Sequence, residues 1–220
     1  SFNLSLKKSD IIFALLIWGI AIAIWWSVPM DVLKSSFYAP FAYPLGKPLP
    51  YSDAGFYDYL SQGLLLGNGF LAQIPPRPLY VVFLAGLRAL VGINDYDKIM
   101  LGQTIVYALF PVVLYFLGKT LHSRAAGITI AFFGIFREWT NLLVSSQTRV
   151  SNSRTTLTDL PTALVLSLVA LLVIYWLKER SNKPLLPLIS GGLFGMLLLL
   201  RTQSMLILPF ILLLALLIFL

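Results

Sequence analysis

The chain has 220 residues, of which 58% are hydrophobic and only 11% charged, where soluble domains carry about 25% charged residues. With a mean hydropathy of +0.85, this composition excludes a soluble globular domain and predicts an all-α membrane protein. The formal charge of +7 lies mostly in short loops between apolar runs, where membrane orientation accounts for it without nucleic acid, and the lack of cysteine excludes disulfides.

Ile11 to Val28 is long enough to cross a bilayer, and Lys7-Lys8 ahead of it predict a cytoplasmic N-terminus. The run is too long, and lacks the small-residue site, for a cleaved signal. Trp25-Trp26 suit the far interface as an aromatic anchor, and Pro29 stops the helix. From Asp31 to Pro50, Pro40, Pro44, Pro48 and Pro50 forbid a long helix. Ser52 reads as an N-cap with Asp53 in the first turn, and Gly67-Asn68-Gly69 as a C-cap. The spacing of Phe56, Leu60, Gly63 and Leu64 predicts a short helix over 53–66, lying along the membrane surface.

Leu79 to Val91 is apolar but has only about 13 residues, below the roughly 17 needed to cross, and it contains Arg88. If it spans, the basic loops Lys119–Arg124 and Lys178–Lys183 fall outside. If it lies at the interface, both fall inside with Lys7-Lys8, and the positive-inside rule selects this arrangement. The remaining spans are predicted near 99–118, 125–144, 160–177, 185–200 and 205–220. The expected architecture is therefore six transmembrane helices plus a large first outer loop with two interfacial helices. It forms a single module: a first span (1–29), an outer loop (30–98) and a helix bundle (99–220). The apolar run that reaches Leu220 predicts a further C-terminal part.

In this topology Asp53, Asp58, Arg77, Arg88, Arg149, Arg154, Asp159 and Arg201 face one side. Asp159, in Thr158-Asp159-Leu160-Pro161 at the mouth of an apolar helix, is a functional candidate because an ionised group near membrane depth is costly. The competing role is a helix cap, with Thr158 or Asp159 at the N-cap and Pro161 in the first turn. Arg201 either snorkels to headgroups or holds an anion, and its planar fork suits phosphate. Arg137-Glu138 is expected to form an internal ion pair. The single His122, in a basic loop, excludes a histidine metal cluster or triad. No P-loop or GxGxxG is present, which speaks against soluble-nucleotide chemistry. What remains, carboxylates and arginines at a membrane surface, suits an activated lipid-phosphate donor.

Asp53-x-x-x-Tyr57, then Leu66-Gly67-Asn68-Gly69-Phe70, then Pro76-Arg77-Pro78-Leu79-Tyr80 with Phe83-Leu84-Ala85 and Leu90-Val91-Gly92, resembles the first outer loop of the GT-C integral-membrane glycosyltransferases. The nearest branch is the protein mannosyltransferase and aminoarabinose-transferase-like group. Thr158-Asp159-Leu160-Pro161 is similar to that group's second acidic loop, and the run from Gly195 to Arg201, with Pro209 in the next helix, to its paired later helices. The resemblance covers about residues 10–215 in short, degenerate motifs.

It implies transfer of a sugar from a polyprenyl-phosphate donor to a hydroxyl acceptor on the outer or lumenal face. The acceptor would be a glycan, lipid or protein, and the partners the bilayer, the lipid-linked sugar and other membrane subunits, with no nucleic acid. The implied catalytic residues are Asp53, as general base, and Asp159. Arg77, Arg154 and Arg201 would bind the donor phosphate, and Tyr57 and Tyr80 the substrate. Partial burial is expected to strengthen Asp53 as a base. Many members carry a second acidic residue next to the first, where this chain has Ala54. No cofactor is therefore expected, and a divalent metal stays an open alternative that the missing paired carboxylate does not support. Ala54 also favours the alternative, a non-catalytic membrane scaffold or accessory subunit that keeps the GT-C-like fold.

Overall fold

The computed structural model describes residues 7–35, 50–70, 73–179 and 185–219. Pro40, Pro44 and Pro48 of the expected irregular loop lie outside the described residues. The described part is all-helical. In order come α1 (Lys8–Trp26), a 3-10 turn (Met30–Ser35), α2 (Asp53–Leu65), α3 (Pro78–Val91), α4 (Tyr96–Tyr107), α5 (Leu109–Leu121), α6 (Arg124–Val144), α7 (Asp159–Glu179) and α8 (Leu185–Leu200). A second 3-10 turn (Thr202–Ile207) and α9 (Leu208–Phe219) complete the series.

Three helical stretches are long and apolar enough to cross a membrane: Lys8–Trp26, Tyr96–Leu121 and Asp159–Lys178. The second joins α4 and α5, which break at Ala108. Pro111 causes the break, because it has no N–H to offer the Tyr107 carbonyl. Helix α3, helix α8 and the stretch Thr202–Ile218 are apolar but shorter. Helix α6 has 21 residues but places Arg137 and Glu138 within its apolar run.

Local chemistry sets the helix ends. The Asp10 carboxylate accepts from the Lys7 backbone N–H at 3.2 Å and closes the start of α1. Gly67, at φ +85°, ends α2, and the Asn68 N–H returns to the Gly63 carbonyl at 3.0 Å. Pro78 opens α3 at a position where its missing N–H costs nothing. Asp95 and Ser123 cap α4 and α6 by accepting from the Lys98 and Ala126 N–H groups, each at 3.2 Å.

Packing then joins the helices. Helix α5 lies against α6, α7 against α8, and α2 against α3. Where α5 crosses α6, the backbones touch: a Cβ on Gly118 would stand 2.7 Å from the Gly127 Cα. Small residues permit this approach, as they do in membrane helix pairs. The Trp25 ring, expected as an interfacial anchor, is instead fully buried. Its indole N–H donates to the Ile135 carbonyl of α6 at 3.1 Å, and Trp18 makes the same kind of bond to Ile105 at 2.9 Å. A buried indole N–H requires such an acceptor.

The two ends of the bundle differ in charge chemistry. At one end the start of α1 meets the end of α5 and the start of α6. Asp10 is buried there, paired with Lys119 at 2.5 Å and Arg124 at 2.9 Å, and it accepts from the Tyr115 hydroxyl at 2.9 Å. Lys178, near the end of α7, donates to the Thr120 carbonyl at 2.6 Å. Lys119, Arg124 and Lys178 are thus gathered at the start of α1 and the α5–α6 connection. The opposite end carries α2, α3, the 151–158 segment and the ends of α1, α6 and α8.

Candidate functional site

The site at this second end is built from four chain segments. Helix α2 begins at Asp53, directly after Ser52, whose φ of +58° makes it the one non-glycine with positive φ among the described residues. Ser52 occupies the N-cap, but its side chain makes no capping bond. Such backbone strain persists only where surrounding structure enforces it, and it concentrates at functional sites. Asp53 is exposed, so the partial burial expected to strengthen it as a base is absent.

One turn on, Tyr57 is buried and stands where the other segments meet. Arg77, the residue before α3, lays its guanidinium over the Tyr57 ring, 5.6 Å from the centroid. Tyr80 packs edge-on against the same ring at 5.5 Å. Burial holds the Tyr57 phenol above its ordinary ionisation range. The Asp53 and Asp159 carboxylates add to that effect and the Arg77 charge opposes it. Asp53, Arg77 and Asp159, far apart in sequence, therefore all act on one hydroxyl.

Asp159 opens α7. It does not serve as the helix cap weighed from the sequence. Its carboxylate instead accepts from the Arg201 guanidinium at 2.5 Å, and both side chains are solvent-accessible. The neighbouring Thr158 hydroxyl is buried and makes no capping hydrogen bond. Arg201 reaches Asp159 because the chain leaves α8 in an extended conformation at that residue.

An apolar groove of about 230 Å³ is lined among others by Leu79, Tyr80, Tyr107, Pro161, Met196 and Leu200. Leu200 precedes Arg201, and Pro161 is two residues beyond Asp159. Neither charged side chain lines the groove; what links it to the site is Tyr80, whose ring lines it and packs on Tyr57. A second hollow, lined by Phe56, Leu60, Phe70 and Gln73–Pro76, lies along α2 next to Tyr57 and Arg77.

Other expected site residues sit elsewhere. Arg154 is buried. Its guanidinium donates to the Val28 carbonyl and stacks over Trp26 at 4.5 Å, so the phosphate-binding role expected of it does not fit its burial. Arg149 is exposed and lies over Tyr51 at 5.8 Å. Tyr80 is fully buried, and its hydroxyl donates to Gln103 at 2.9 Å. It meets the groove through its ring. Asp58 and Arg88 pair with each other inside the α2–α3 contact, supported by Ser61 and Tyr96, and act as a structural clamp. Arg137 and Glu138 do not form the expected pair. Successive helical residues point different ways, so Arg137 is exposed while the buried Glu138 accepts the Ser153 N–H.

The sequence reading passed over the segment that holds Asp159 in place. Asn152, Ser153, Arg154, Thr155, Thr156 and Thr158 are all buried. A polar loop survives burial only if its groups find partners. Asn152 donates to the Ser145 hydroxyl at 2.8 Å, and Thr156 to the Ala54 carbonyl at 2.9 Å. Gln103 of α4 donates to the Ser153 and Thr155 carbonyls at 2.8 and 2.9 Å. Among the described residues no group of three or more His, Cys, Asp or Glu side chains forms a metal-binding cluster. Comparison with known families, characterised proteins and solved structures returned no match.

Proposed function

We propose that this chain is a GT-C-type membrane glycosyltransferase that moves a sugar from a polyprenyl-phosphate donor to a hydroxyl acceptor. The observation that carries the reading is an apolar groove of about 230 Å³ that shares Tyr80 with the Tyr57–Arg77 cluster and whose lining residues Pro161 and Leu200 neighbour, in sequence, the paired Asp159 and Arg201. A ligand complementary to both parts has an apolar chain and an anionic head. A lipid phosphate is such a molecule, and a soluble nucleotide sugar is not.

In this mechanism Arg201 and Arg77 hold the donor phosphate, and the phosphate takes the place that Asp159 occupies on Arg201. The acceptor oxygen bonds to the anomeric carbon as the bond from that carbon to the phosphate oxygen breaks. The electron pair leaves with the phosphate, which needs no proton, so the second acid of a glycosidase is not required. The acceptor proton passes to Asp53. Arginines fixed before the reaction stabilise the charge that develops on the leaving group. Tyr57 remains a neutral donor between the two carboxylates, and Asp159, released from Arg201, orients the acceptor.

The proposed architecture keeps six membrane crossings. Helix α1, the α4–α5 pair, α6 and α7 run between the basic end and the site end. Helices α8 and α9 meet at Arg201 and supply the remaining two. The basic end is cytoplasmic, and the site faces outward. A second reading, a non-catalytic scaffold, draws on Ala54 and on the mutual satisfaction of Asp159 and Arg201.

Replacing Asp53 with Asn decides between them. A general base contributes about 10²- to 10⁴-fold, so transfer of labelled sugar from polyprenyl phosphate in the full-length protein drops by that factor. Unchanged transfer by well-folded Asp53→Asn protein refutes the catalytic assignment. Absence of transfer by the unmodified protein with every lipid-linked sugar tried favours the scaffold.

A further inference from the structure

The carboxylates assigned to the transfer reaction are 106 residues apart in sequence, at the starts of α2 and α7. Their relative position depends on the buried 151–158 loop, which leads into Asp159 and touches the start of α2 through the Thr156–Ala54 hydrogen bond at 2.9 Å. The loop is in turn held from α4 by one side chain. Gln103 is fully buried, and its amide nitrogen donates both hydrogens to the loop, to the Ser153 and Thr155 carbonyls. Its amide oxygen accepts from Tyr80 at 2.9 Å, whose ring packs on Tyr57 and lines the groove. One planar amide therefore ties the loop before Asp159 to the aromatic pair beneath Asp53 and Arg77.

We infer that Gln103 is a positioning residue, one that fixes the separation of Asp53 and Asp159 across Tyr57 without touching substrate. The inference rests on the transferase reading for its kinetic consequence only. An amide suits the task, since it satisfies two carbonyls and one hydroxyl at once. Apolar replacements leave those three groups without partners, and a carboxylate keeps the acceptor but loses the paired donors. Misplacing a reacting group by about 1 Å costs on the order of 10²-fold in rate.

The test uses the full chain in lipid nanodiscs, with Gln103→Leu and the more conservative Gln103→Glu as variants. The sequence has no cysteine, so an Asp53→Cys/Asp159→Cys double variant carries spin labels at those two positions alone. Pulsed electron paramagnetic resonance then reads their separation. With Gln103 present the distance distribution is narrow, and both replacements broaden or shift it. With Asp53 and Asp159 intact, the same replacements lower kcat by about 10- to 100-fold while KM for the lipid donor stays within about threefold.

An unchanged distribution in both variants, or a raised KM at constant kcat, overturns the positioning role. If the unmodified protein transfers no sugar, the transferase reading fails separately, and the label distances still decide what Gln103 holds. Thermal unfolding of both variants in the same nanodiscs separates positioning from folding, because a buried carboxylate facing two carbonyl oxygens also costs stability: the role requires a changed label distance in protein that is still folded.

Discussion

Tyr57 is the residue on which the site's electrostatics converge, and it can be tested alone. Burial, with Asp53 and Asp159 in support, raises the phenol's ionisation above the ordinary value of about 10, against the opposing charge of Arg77. The sign of the linkage follows. As pH rises through the unfolded value, the unfolded chain releases this proton first, so the folded state loses stability toward high pH. Tyr57→Phe removes that slope and retains the ring on which Arg77 lies. Two measurements check this. The phenolate difference spectrum between the unmodified protein and Tyr57→Phe shows one tyrosine titrating above the ordinary range, and the alkaline fall in thermal stability is shallower in the variant. A Tyr57 that titrates normally means that burial and the two carboxylates do not act on its hydroxyl as described.

At the scale of elements, the α5–α6 crossing makes the sharpest demand on the sequence. A Cβ on Gly127 would lie 3.0 Å from the Lys119 backbone nitrogen and 3.1 Å from the Tyr115 ring, with no flexible side-chain end to yield on the backbone side. Gly127→Val therefore overpacks the crossing and costs about 1–3 kcal/mol. Gly191 of α8 has nothing within 4 Å of its Cβ position, so Gly191→Ala is neutral or gains up to about 1 kcal/mol in helix propensity. Thermal unfolding of the two variants in the same detergent checks the contrast, and equal effects would mean that the crossing is not this close.

Elements with local punctuation were legible in the sequence. Gly67 and Pro78 bracket α2 and α3, which begin or end within a residue of expectation. Asp159 was expected near the start of α7 for the same reason. The α4–α5 break was not read, because Pro111 lies inside an apolar run that looks continuous. The site was legible only in part. Asp159 and Arg201 stood out as charges beside apolar runs, but their contact spans 42 residues, and no spacing rule predicts it. The burial of Arg154 was not legible, because a charge in a loop gives no sign of the direction it faces. Gln103 was missed because one amide in an apolar helix has no motif, and its partners are backbone carbonyls about 50 residues away.

For the whole molecule, the arrangement of charge about the membrane carries the strongest consequence. Lys119, Arg124 and Lys178 join the start of α1 at one end, while Asp53, Arg77, Asp159 and Arg201 belong to the other. A chain with α3 as a seventh full crossing would send the 119–124 loop to the side opposite Lys7-Lys8, yet Asp10 pairs with both Lys119 and Arg124. That contact holds the two segments at the same end of the bundle, the end that the proposed topology makes cytoplasmic by the positive-inside rule. The absence of native cysteine permits a direct reading with single-cysteine variants. His122, exposed at the basic end, and Gln73, exposed beside the site, are positions where a new thiol meets solvent. In sealed right-side-out vesicles, an impermeant maleimide labels Gln73→Cys at once and labels His122→Cys only after the membrane is opened. Labelling of both from outside, or the reverse pattern, removes the outward-facing site and with it the supply of lipid-linked sugar on which the proposed reaction depends.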